Sequence, residues 1–483
     1  MAERKVLAID LGAESGRVIQ IGFKEDRLHL VELHRFLNTP TQLEDTLCWD
    51  VASLWREIQS GIQTAQHVES LGIDTWGVDF ALLDRKGQLL ANPTHYRDSS
   101  STGMMEWVYE RVPRKTLYER TGIQLMEFNG LYRLARLAKD QSSLLDSAET
   151  FLTIADLFNY WLCGSKTCEF TLTTTQQVYN AIAQDWDYLS MEALGVPTHI
   201  FPKVVHAGTQ LGEYQGIPVV LPACHDTASA VVAVPAQTKN FAYLSSGTWS
   251  LLGLELDHLV INDRAYESNL TNEGGYEGTN RFLKNIAGMW LLQQCRLTWA
   301  SQGSDYGYGE LTKMVESSTP FQAFIDPDHP DFVSSGDMPK RVWDFCSRTG
   351  QSVPENKGDI LTVIFESLAL KYRYCLDLLI TTSGQKVEVL HIVGGGSQND
   401  LLNQMTANAV QRPVVAGPVE ATALGNALVQ LIQLGYIKDM AEARRILASS
   451  ADFKRFEPKS VPVWENRFQQ FKEKLFQVKR LKY

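Results

Sequence analysis

A strand–turn–strand unit occurs twice in the chain, and this repetition constrains the fold more than any other feature of the sequence. The first copy spans residues 6–22 and turns through the glycine-bearing segment 11–16. The second copy spans 241–254 and turns at 246–248. Alternating apolar strands around glycine turns are typical of β-hairpins. A chain of 483 residues is too long for one ordinary core, so we expect two large domains, or two and a small appendage, and the second hairpin looks like a repeat of the first.

Strands and helix-like segments alternate around both hairpins, which favours an α/β fold. The additional segments with strand character are 28–36, 71–77, 217–221 and 387–393. The segments with helical periodicity are 51–68, 103–112, 227–234 and 358–382. A polar connection near Ala236 predicts a boundary, giving domains 1–236 and 237–483. The second domain ends in an amphipathic segment with Trp464 and Phe468 at helical spacing, and we expect this tail to pack on that domain.

Composition excludes several classes of partner. The formal net charge is −11 and the basic residues are scattered, so nucleic acid is an unfavourable partner. Apolar runs fall far short of the roughly 18 residues of a membrane span, and the N-terminus has no signal-peptide core. We therefore expect a cytoplasmic protein without membrane contact. The seven cysteines show no paired C-x-x-C spacing, which predicts reduced thiols, no disulfide and no zinc site.

The first turn has the residues of an anion-binding loop. Asp10 ends an apolar strand, and Gly12 and Gly16 allow close approach of the backbone to a polyphosphate. The turn lacks the lysine of a P-loop, and an ordinary hairpin explains it equally well when taken alone. The second turn, at 245–248, is also small and rich in hydroxyl groups, which favours a phosphate site that uses both turns.

Two further segments place polar residues at the ends of apolar strands. Asp226 lies between a strand and a helix-like segment, at the edge of a sheet where α/β proteins bind ligands. A plain helix cap is the alternative interpretation. In the segment 72–80, Gly77 could bring backbone close to a substrate and Asp79 could accept sugar hydroxyls, while a bulged strand is the alternative.

Taken together, these motifs resemble those of the FGGY carbohydrate kinases. The matching segments are Asp10-Leu-Gly-Ala-Glu-Ser-Gly-Arg17, Asp74-Thr-Trp-Gly-Val-Asp79, His225-Asp-Thr-Ala-Ser-Ala230 and Tyr243-Leu-Ser-Ser-Gly-Thr-Trp-Ser250. Shorter matches at 271–275, 284–286, 290–293, 392–396 and 416–421 extend the resemblance along almost the whole chain. It implies two actin-like ATPase domains of the ribonuclease-H type with an active-site cleft between them.

The resemblance also implies roles for individual residues. Asp226 would be the base that acts on the 1-hydroxyl of a ketose, with ATP as phosphoryl donor and Asp10 positioning Mg²⁺ through water. The ATP site would be lined by Ala13, Glu14, Ser15, Gly16, Arg17, Thr248, Gln293 and Gly395. The sugar would be bound by Gly77, His225, Asp226, Thr227 and Asn285. Glu14 adds a carboxylate beside the phosphates, so we expect it to point to solvent.

L-Rhamnulose is the expected ketose, with L-fuculose, L-ribulose and D-xylulose as alternatives. Two other classes remain open: an actin-like nucleotide switch without a sugar substrate, and a catalytically inactive sugar-binding regulator. Strong stimulation of ATP turnover by a sugar would separate the first from a kinase. The expected oligomeric state is a monomer or a small homo-oligomer.

Overall fold

The apolar segments of the sequence form two large mixed sheets, and the chain divides into two compact units. The computed structural model describes residues 3–450 and 453–477. Within them the first unit consists of the segments 3–237, 255–283 and 420–450. The second unit consists of the segments 238–254, 284–419 and 453–477. The first change of unit lies next to the boundary expected near Ala236, and the division into functional domains 1–236 and 237–483 stays a prediction.

The elements follow the order anticipated from the alternating strands and helices. Up to the first β-hairpin of the second unit they are β1 (Arg4–Leu11), β2 (Ser15–Lys24), β3 (Arg27–Leu37), β4 (Thr41–Leu43), β5 (Thr46–Cys48), α1 (Val51–Thr64), β6 (Leu71–Thr75), β7 (Phe80–Leu83), α2 (Met104–Tyr109), α3 (Arg114–Thr121), α4 (Gly130–Lys139), α5 (Ser143–Asp146), β8 (Thr150–Thr153), α6 (Ile154–Cys163), β9 (Cys168–Glu169), α7 (Phe170–Thr175), β10 (Tyr179–Asn180), β11 (Asp185–Trp186), α8 (Tyr188–Ala193), β12 (Val204–Val205), β13 (Gln210–Tyr214), β14 (Ile217–Val220) and α9 (Asp226–Val232).

The remaining elements begin with the second predicted hairpin. They are β15 (Phe241–Ser246), β16 (Trp249–Leu256), α10 (Asp263–Glu267), β17 (Thr271–Gly274), β18 (Asn280–Ala287), α11 (Trp290–Ser301), α12 (Tyr308–Glu316), α13 (Met338–Arg348), α14 (Lys357–Ser383), β19 (Val389–Val393), α15 (Asp400–Val410), β20 (Val414–Ala416), α16 (Ala421–Gln433), α17 (Met440–Ser450), β21 (Lys454–Phe456) and α18 (Val461–Lys472).

The sheet of the first unit has the strand order β13-β14-β6-β1-β2-β3. β1 lies in its interior, antiparallel to β2 and parallel to β6. Residues Val6 to Leu11 are buried without a break, which explains the continuous apolar run, because an interior strand covered on both faces has no solvent side. The parallel register places Asp10 opposite Asp74, and the antiparallel register places Asp10 opposite Arg17.

The sheet of the second unit repeats this arrangement. The full sheet has seven strands in the order β17-β18-β16-β15-β19-β20-β21, with β15 antiparallel to β16 and parallel to β19. Each unit therefore has a hairpin whose first strand has a parallel neighbour on its other side. The prediction of two related hairpin units is confirmed at the level of topology.

Each unit has its own apolar core. Trp49, Tyr132 and Phe151 are fully buried in the first unit. The C-terminal helix α18 packs its aromatic side chains on the second unit, where Trp464 lies edge-on to Phe321. The expected packing of the tail on the second domain agrees with this contact.

Two properties expected from composition can be compared with the described residues. Among the helices described, none is long and apolar enough to cross a membrane. All seven cysteines lie in the described part of the chain, and each is a free thiol.

Candidate active site

Three parallel chain segments end side by side in the first unit and bring several predicted residues together. β1 ends at Asp10 and Leu11, and β6 ends at Thr75. The segment after β14 runs alongside, because the Thr75 N–H donates to the carbonyl of Cys224 at 2.8 Å and Thr75 pairs with His225. Ligand sites of α/β sheets form at such carboxyl ends. The candidate site of this unit is built on this edge.

Asp10 is almost completely buried and has one close cationic neighbour. Its Oδ2 lies 3.2 Å from Nη2 of Arg17, which also pairs with Glu420 at the residue before α16. Burial raises the pKa of Asp10, and the Arg17 guanidinium opposes that rise. Arg17, predicted as an ATP contact, therefore lies between two carboxylates, one from each end of the chain.

A ladder of buried side-chain amides connects helix α16 to the other carboxylate of this edge. Asn426 Nδ2 donates to Asp74 Oδ2 at 2.6 Å and to the carbonyl of Gly72 at 3.1 Å. Gln430 Nε2 donates to Asn426 Oδ1 at 2.6 Å, and Ser70 donates to Gln430 at 2.6 Å. Burial, followed by the charge of Asp10, holds the pKa of Asp74 well above its ordinary value.

Asp226 is the first residue of α9, where the helix dipole favours a negative charge. Its Oδ1 accepts from the amide of Thr227 at 2.5 Å and from the Thr227 hydroxyl at 3.2 Å, and it lies 3.3 Å from His225 Nε2. All three contacts fall on one oxygen, and 29% of the side chain is exposed. Burial, with the charge of Asp10 second, raises the pKa of Asp226 to about 7. A carboxyl group with such a pKa suits general-base work near neutral pH.

The predicted sugar-binding residues of the first unit lie around Asp226. His225 is buried at the N-cap of α9, and Thr227 is the second helical residue. A Cβ atom on Gly77 would lie 3.1 Å from His225 Nε2 and 3.2 Å from the hydroxyl of Thr175. The absence of a side chain at Gly77 therefore keeps the space in front of the imidazole open.

The expectation that Asp79 accepts sugar hydroxyls is wrong. Its Oδ2 accepts from the indole N–H groups of Trp49 at 2.6 Å and Trp76 at 2.9 Å. Its Oδ1 pairs with Arg133 at 2.6 Å, and the carboxylate is buried. Protein donors occupy both oxygens, so Asp79 holds the two indole rings together.

The first turn, which contains the predicted ATP residues Ala13 to Arg17, is fixed by a side chain that the sequence did not single out. Asn38 Nδ2 donates to the carbonyl of Gly12 at 2.9 Å, and the Asn38 N–H donates to the carbonyl of Glu14 at 3.0 Å. Glu14 is exposed, in agreement with the expectation that it points to solvent, whereas Gly16 is buried. A Cβ on Gly16 would lie 2.3 Å from the ring of Phe36, so this turn requires glycine there.

The second turn gathers the ATP residues predicted in the second unit. Gln293 Nε2 donates to the Thr248 hydroxyl at 3.3 Å, and the Trp290 N–H donates to the Thr248 carbonyl at 3.1 Å. Gly395 lies in the triplet 394–396, whose other two glycines contact Ser246 so closely that a Cβ would lie 3.1 Å or less from it. Gly395 itself faces open space. Asn285, predicted as a sugar ligand, lies half-buried on β18 of this unit.

The carboxylates of the first unit fit a magnesium–phosphate complex. Among the described residues, Asp74 Oδ1 is buried without a hydrogen-bond donor, and Asp10 Oδ2 has no hydrogen bond but lies 3.2 Å from the Arg17 guanidinium. Carboxylate oxygens that keep free lone pairs suit Mg²⁺, which proteins bind through one or two carboxylates, water and substrate phosphates. In the described part of the chain, no group of three His, Cys, Asp or Glu residues forms a metal cage by itself.

Sequence reasoning missed the residues that support these groups from other elements. Arg281 and Glu273, on β18 and β17, lie against His225, and Asn426 and Gln430 lie on α16. A detectable signal was present in α16, because Asn426 and Gln430 recur four residues apart inside an otherwise apolar helix. Buried polar side chains at that spacing need partners, which here are Asp74 and Ser70.

Comparison with known proteins gives a consistent result. The model of the FGGY family of carbohydrate kinases, N-terminal domain, matches residues 5–232, and that of the C-terminal domain matches residues 242–434. A rhamnulokinase of Bacteroides thetaiotaomicron is 43% identical over 97% of this chain and 99% of its own length. A rhamnulokinase of Pectobacterium atrosepticum is 39% identical over 98% of this chain and 96% of its own length.

A solved structure shares the fold at low sequence identity. Gluconate kinase from Lactobacillus acidophilus superposes with a TM-score of 0.79, covering 98% of this chain and 97% of its own, at 14% identity. The chain therefore has the two-domain actin-like α/β fold, as expected from the motifs.

Proposed function

The chain belongs to the FGGY family of carbohydrate kinases, and we propose that it transfers the terminal phosphoryl group of ATP to the 1-hydroxyl of L-rhamnulose. The products are L-rhamnulose 1-phosphate and ADP, a reaction of L-rhamnose catabolism. Identity of 43% to a rhamnulokinase over nearly the full length supports this substrate. The two turns and the carboxylates at the sheet edge support the chemistry.

The observation that carries the proposal is the state of Asp226. Three contacts from the two residues Thr227 and His225 fall on its Oδ1, so Oδ2 is the oxygen that accepts the proton of the sugar hydroxyl. The sugar oxygen then forms the bond to the γ-phosphorus while the bond to the β-phosphate oxygen breaks, and ADP leaves. With a pKa of about 7, Asp226 is deprotonated often enough to accept a proton and basic enough to hold it.

The remaining residues bind and orient the substrates. Backbone amides of Ala13 to Gly16, with Arg17, bind phosphate oxygens, as do the groups around Thr248, Gln293 and Gly395. His225, Thr227, Gly77 and Asn285 bind the sugar. Asp10 would position Mg²⁺, and the ion when bound would neutralise charge that develops on the phosphates. The cytoplasmic location and the oligomeric state stay predictions.

The experiment measures ADP release by the purified protein with ATP and Mg²⁺ against L-rhamnulose, L-fuculose, L-ribulose, D-xylulose and glycerol. Asp226→Asn keeps the shape of the side chain and removes the base. Asp400→Asn is the matched control, because Asp400 is also the first residue of a helix, α15, and is half-exposed. If Asp226 only stabilised the start of its helix, as Asp400 can, the two variants would have similar activity.

We expect the highest kcat/KM with L-rhamnulose, a loss of about 10³-fold or more in Asp226→Asn, and little change in Asp400→Asn. Preference for another ketose would keep the kinase and replace the substrate. ATP turnover that is independent of sugar and unchanged in Asp226→Asn would overturn the kinase assignment and favour a nucleotide switch.

A further inference from the structure

Arg281 on β18 is a fully buried cation that lies next to His225, the residue before the candidate base Asp226. It lies directly opposite Glu273 in the β17–β18 pairing, and its Nη2 is 3.2 Å from Glu273 Oε2. Nε donates to the carbonyl of Gly274 at 2.7 Å, and Nη2 also contacts His225 Nδ1 at 2.9 Å. These contacts hold the guanidinium against one particular nitrogen of the imidazole.

The contact decides where the proton of His225 lies. A guanidinium carries only donors, so His225 Nδ1 must be the acceptor and the ring proton must be on Nε2. The opposite tautomer would need an Nδ1–H bond to Glu273 Oε2, which is 3.6 Å away and beyond hydrogen-bond length. Protonation of both nitrogens would place two cations 2.9 Å apart in a buried site. Burial, and then Arg281, accordingly hold the pKa of His225 well below its ordinary value.

The protonated Nε2 points at the reaction site. It lies 3.3 Å from Asp226 Oδ1, on the side of the ring that Gly77 leaves open. An N–H at this position is attracted to Oδ1 of the carboxylate and leaves Oδ2 to receive the substrate proton. A lone pair on Nε2 would instead repel the carboxylate and compete with it as a base.

A purely structural role explains Arg281 less well. Its Nη1 is buried without a hydrogen-bond partner among the described residues, which is costly for a charged group. A buried ion pair of this kind is often replaceable by apolar residues without loss of stability. A role of the guanidinium in fixing the proton of His225 explains why the chain keeps a charged group in this buried position.

We propose that Arg281 is a positioning residue that fixes His225 as the Nε2–H tautomer, and thereby orients Asp226 for proton abstraction. The groups that face the imidazole are Arg281, Glu273 and Asp226, one cation and two carboxylates. The catalytic consequence rests on the proposed function, because it requires Asp226 to be the base. The tautomer itself does not depend on that function.

The first test reads the tautomer without activity. Protein labelled with ¹⁵N-histidine is studied by long-range ¹H–¹⁵N NMR, with the signals of His225 assigned by their loss in His225→Gln. We expect an unprotonated Nδ1 and a protonated Nε2 from about pH 5.5 to about pH 8.5. A proton on Nδ1, or titration of the ring near its ordinary pKa, would overturn the proposal.

The second test removes the guanidinium. In Arg281→Met, Glu273 remains and should draw the proton to Nδ1, so the tautomer reverses. Because a lone buried glutamate could prevent folding, Arg281→Met/Glu273→Leu removes both charges. We expect the Nε2–H form to be less dominant in this variant than in the parent protein, because only the Asp226 carboxylate then favours it. The matched control is Arg444→Met/Glu255→Leu, which removes another arginine–glutamate pair of the same unit, 2.6 Å apart.

Kinetics of the same variants connect the tautomer to the reaction. We expect kcat with L-rhamnulose to fall about 10-fold or more in the Arg281 variants, while KM for ATP changes less than about 2-fold. The control should keep both the tautomer and kcat. An Arg281 variant that keeps the Nε2–H tautomer refutes the proposal. Full activity in Asp226→Asn would instead refute the base assignment and leave the NMR result standing.

Discussion

Gly425 offers the sharpest test of how the proposed base is supported, because two helices of the first unit contact each other there through backbone atoms. A Cβ on Gly425 of α16 would lie 1.8 Å from the carbonyl oxygen of Ser229 on α9, and 2.6 Å from its carbon. Neither atom can move by a side-chain rotation. Gly425→Ala must therefore separate α16 from α9, the helix that begins at Asp226.

The expected size of the effect follows from these distances. Ordinary contact begins at 3.4 Å, so the helices must separate by about 1.6 Å at this point. Overpacking of this kind costs about 1–3 kcal/mol or more, and contact with rigid backbone places it at the upper end. Replacement of glycine by alanine inside a helix, taken alone, stabilises the folded state by about 1 kcal/mol. We expect a net loss of about 2 kcal/mol and, because displacement of a base by about 1 Å costs on the order of 100-fold in rate, a large fall in kcat.

Urea unfolding followed by circular dichroism measures the stability, and coupled ADP release measures kcat. The matched control is Gly309→Ala in α12, where a Cβ would meet none of the described atoms within 4 Å. That substitution should stabilise the protein slightly and leave kcat unchanged. If Gly425→Ala gained stability as the control does and kept its kcat, the close packing of α16 on α9 would be refuted.

Three further perturbations test the carboxylates and the second unit. Raising the pH through about 7 should increase kcat/KM to a plateau, and a pH–rate series measures this. The reason is that the raised pKa of Asp226 keeps its carboxyl group protonated below about pH 7, where it cannot act as a base. Asn426→Leu removes the amide that donates to Asp74, and we expect kcat to fall about 10-fold and the Mg²⁺ requirement to rise, measured by titration with Mg²⁺. Lys371→Met removes a buried cation that lies 2.7 Å from the buried Asp326 and 2.9 Å from the partly buried Asp328, and should lower the free energy of unfolding by about 3–5 kcal/mol in urea.

Each of these predictions has its own control. A kcat/KM that does not change between about pH 5 and about pH 9 would contradict the assignment of Asp226. Asn159→Leu replaces another buried asparagine of the first unit, on α6, and should keep the Mg²⁺ dependence. Lys340→Met breaks an exposed ion pair within α13 and should cost about 0.5 kcal/mol or less. A similar loss for Lys340→Met and Lys371→Met would show that burial of the pair is unimportant.

The two hairpins and the place of Asp226 were predictable because their signals are local. An interior strand such as β1 is a continuous apolar run, and a glycine turn marks its end, so Asp10 could be placed at the edge of a sheet from its neighbours alone. Asp226 could be placed between a strand and a helix by the same reasoning. The bounds of the long helix α14, 357–383, differ from the predicted 358–382 by one residue at each end.

Contacts between distant segments carry no comparable signal. Nothing near Arg281 in the sequence indicates that it reaches His225, 56 positions away. Asp79 was misread for the same reason: its three donors come from Trp49, Trp76 and Arg133, and an aspartate at a strand end has the same local pattern whether protein or sugar occupies it. Only the folded structure shows which hydrogen-bond donors of the protein already contact the Asp79 carboxylate.

Helix α16 explains why a segment so late in the chain belongs to the first unit. Two successive residues of this helix point about 100° apart around its axis and therefore contact different parts of the first unit. Gly425 lets the helix approach α9 and so sets the position of Asp226, while Asn426 donates to Asp74. A strand end can supply a carboxylate but cannot hold its second oxygen in place, so the support must come from another element. Helix α16 therefore contacts both the helix that begins at Asp226, the proposed base, and the carboxylate of Asp74.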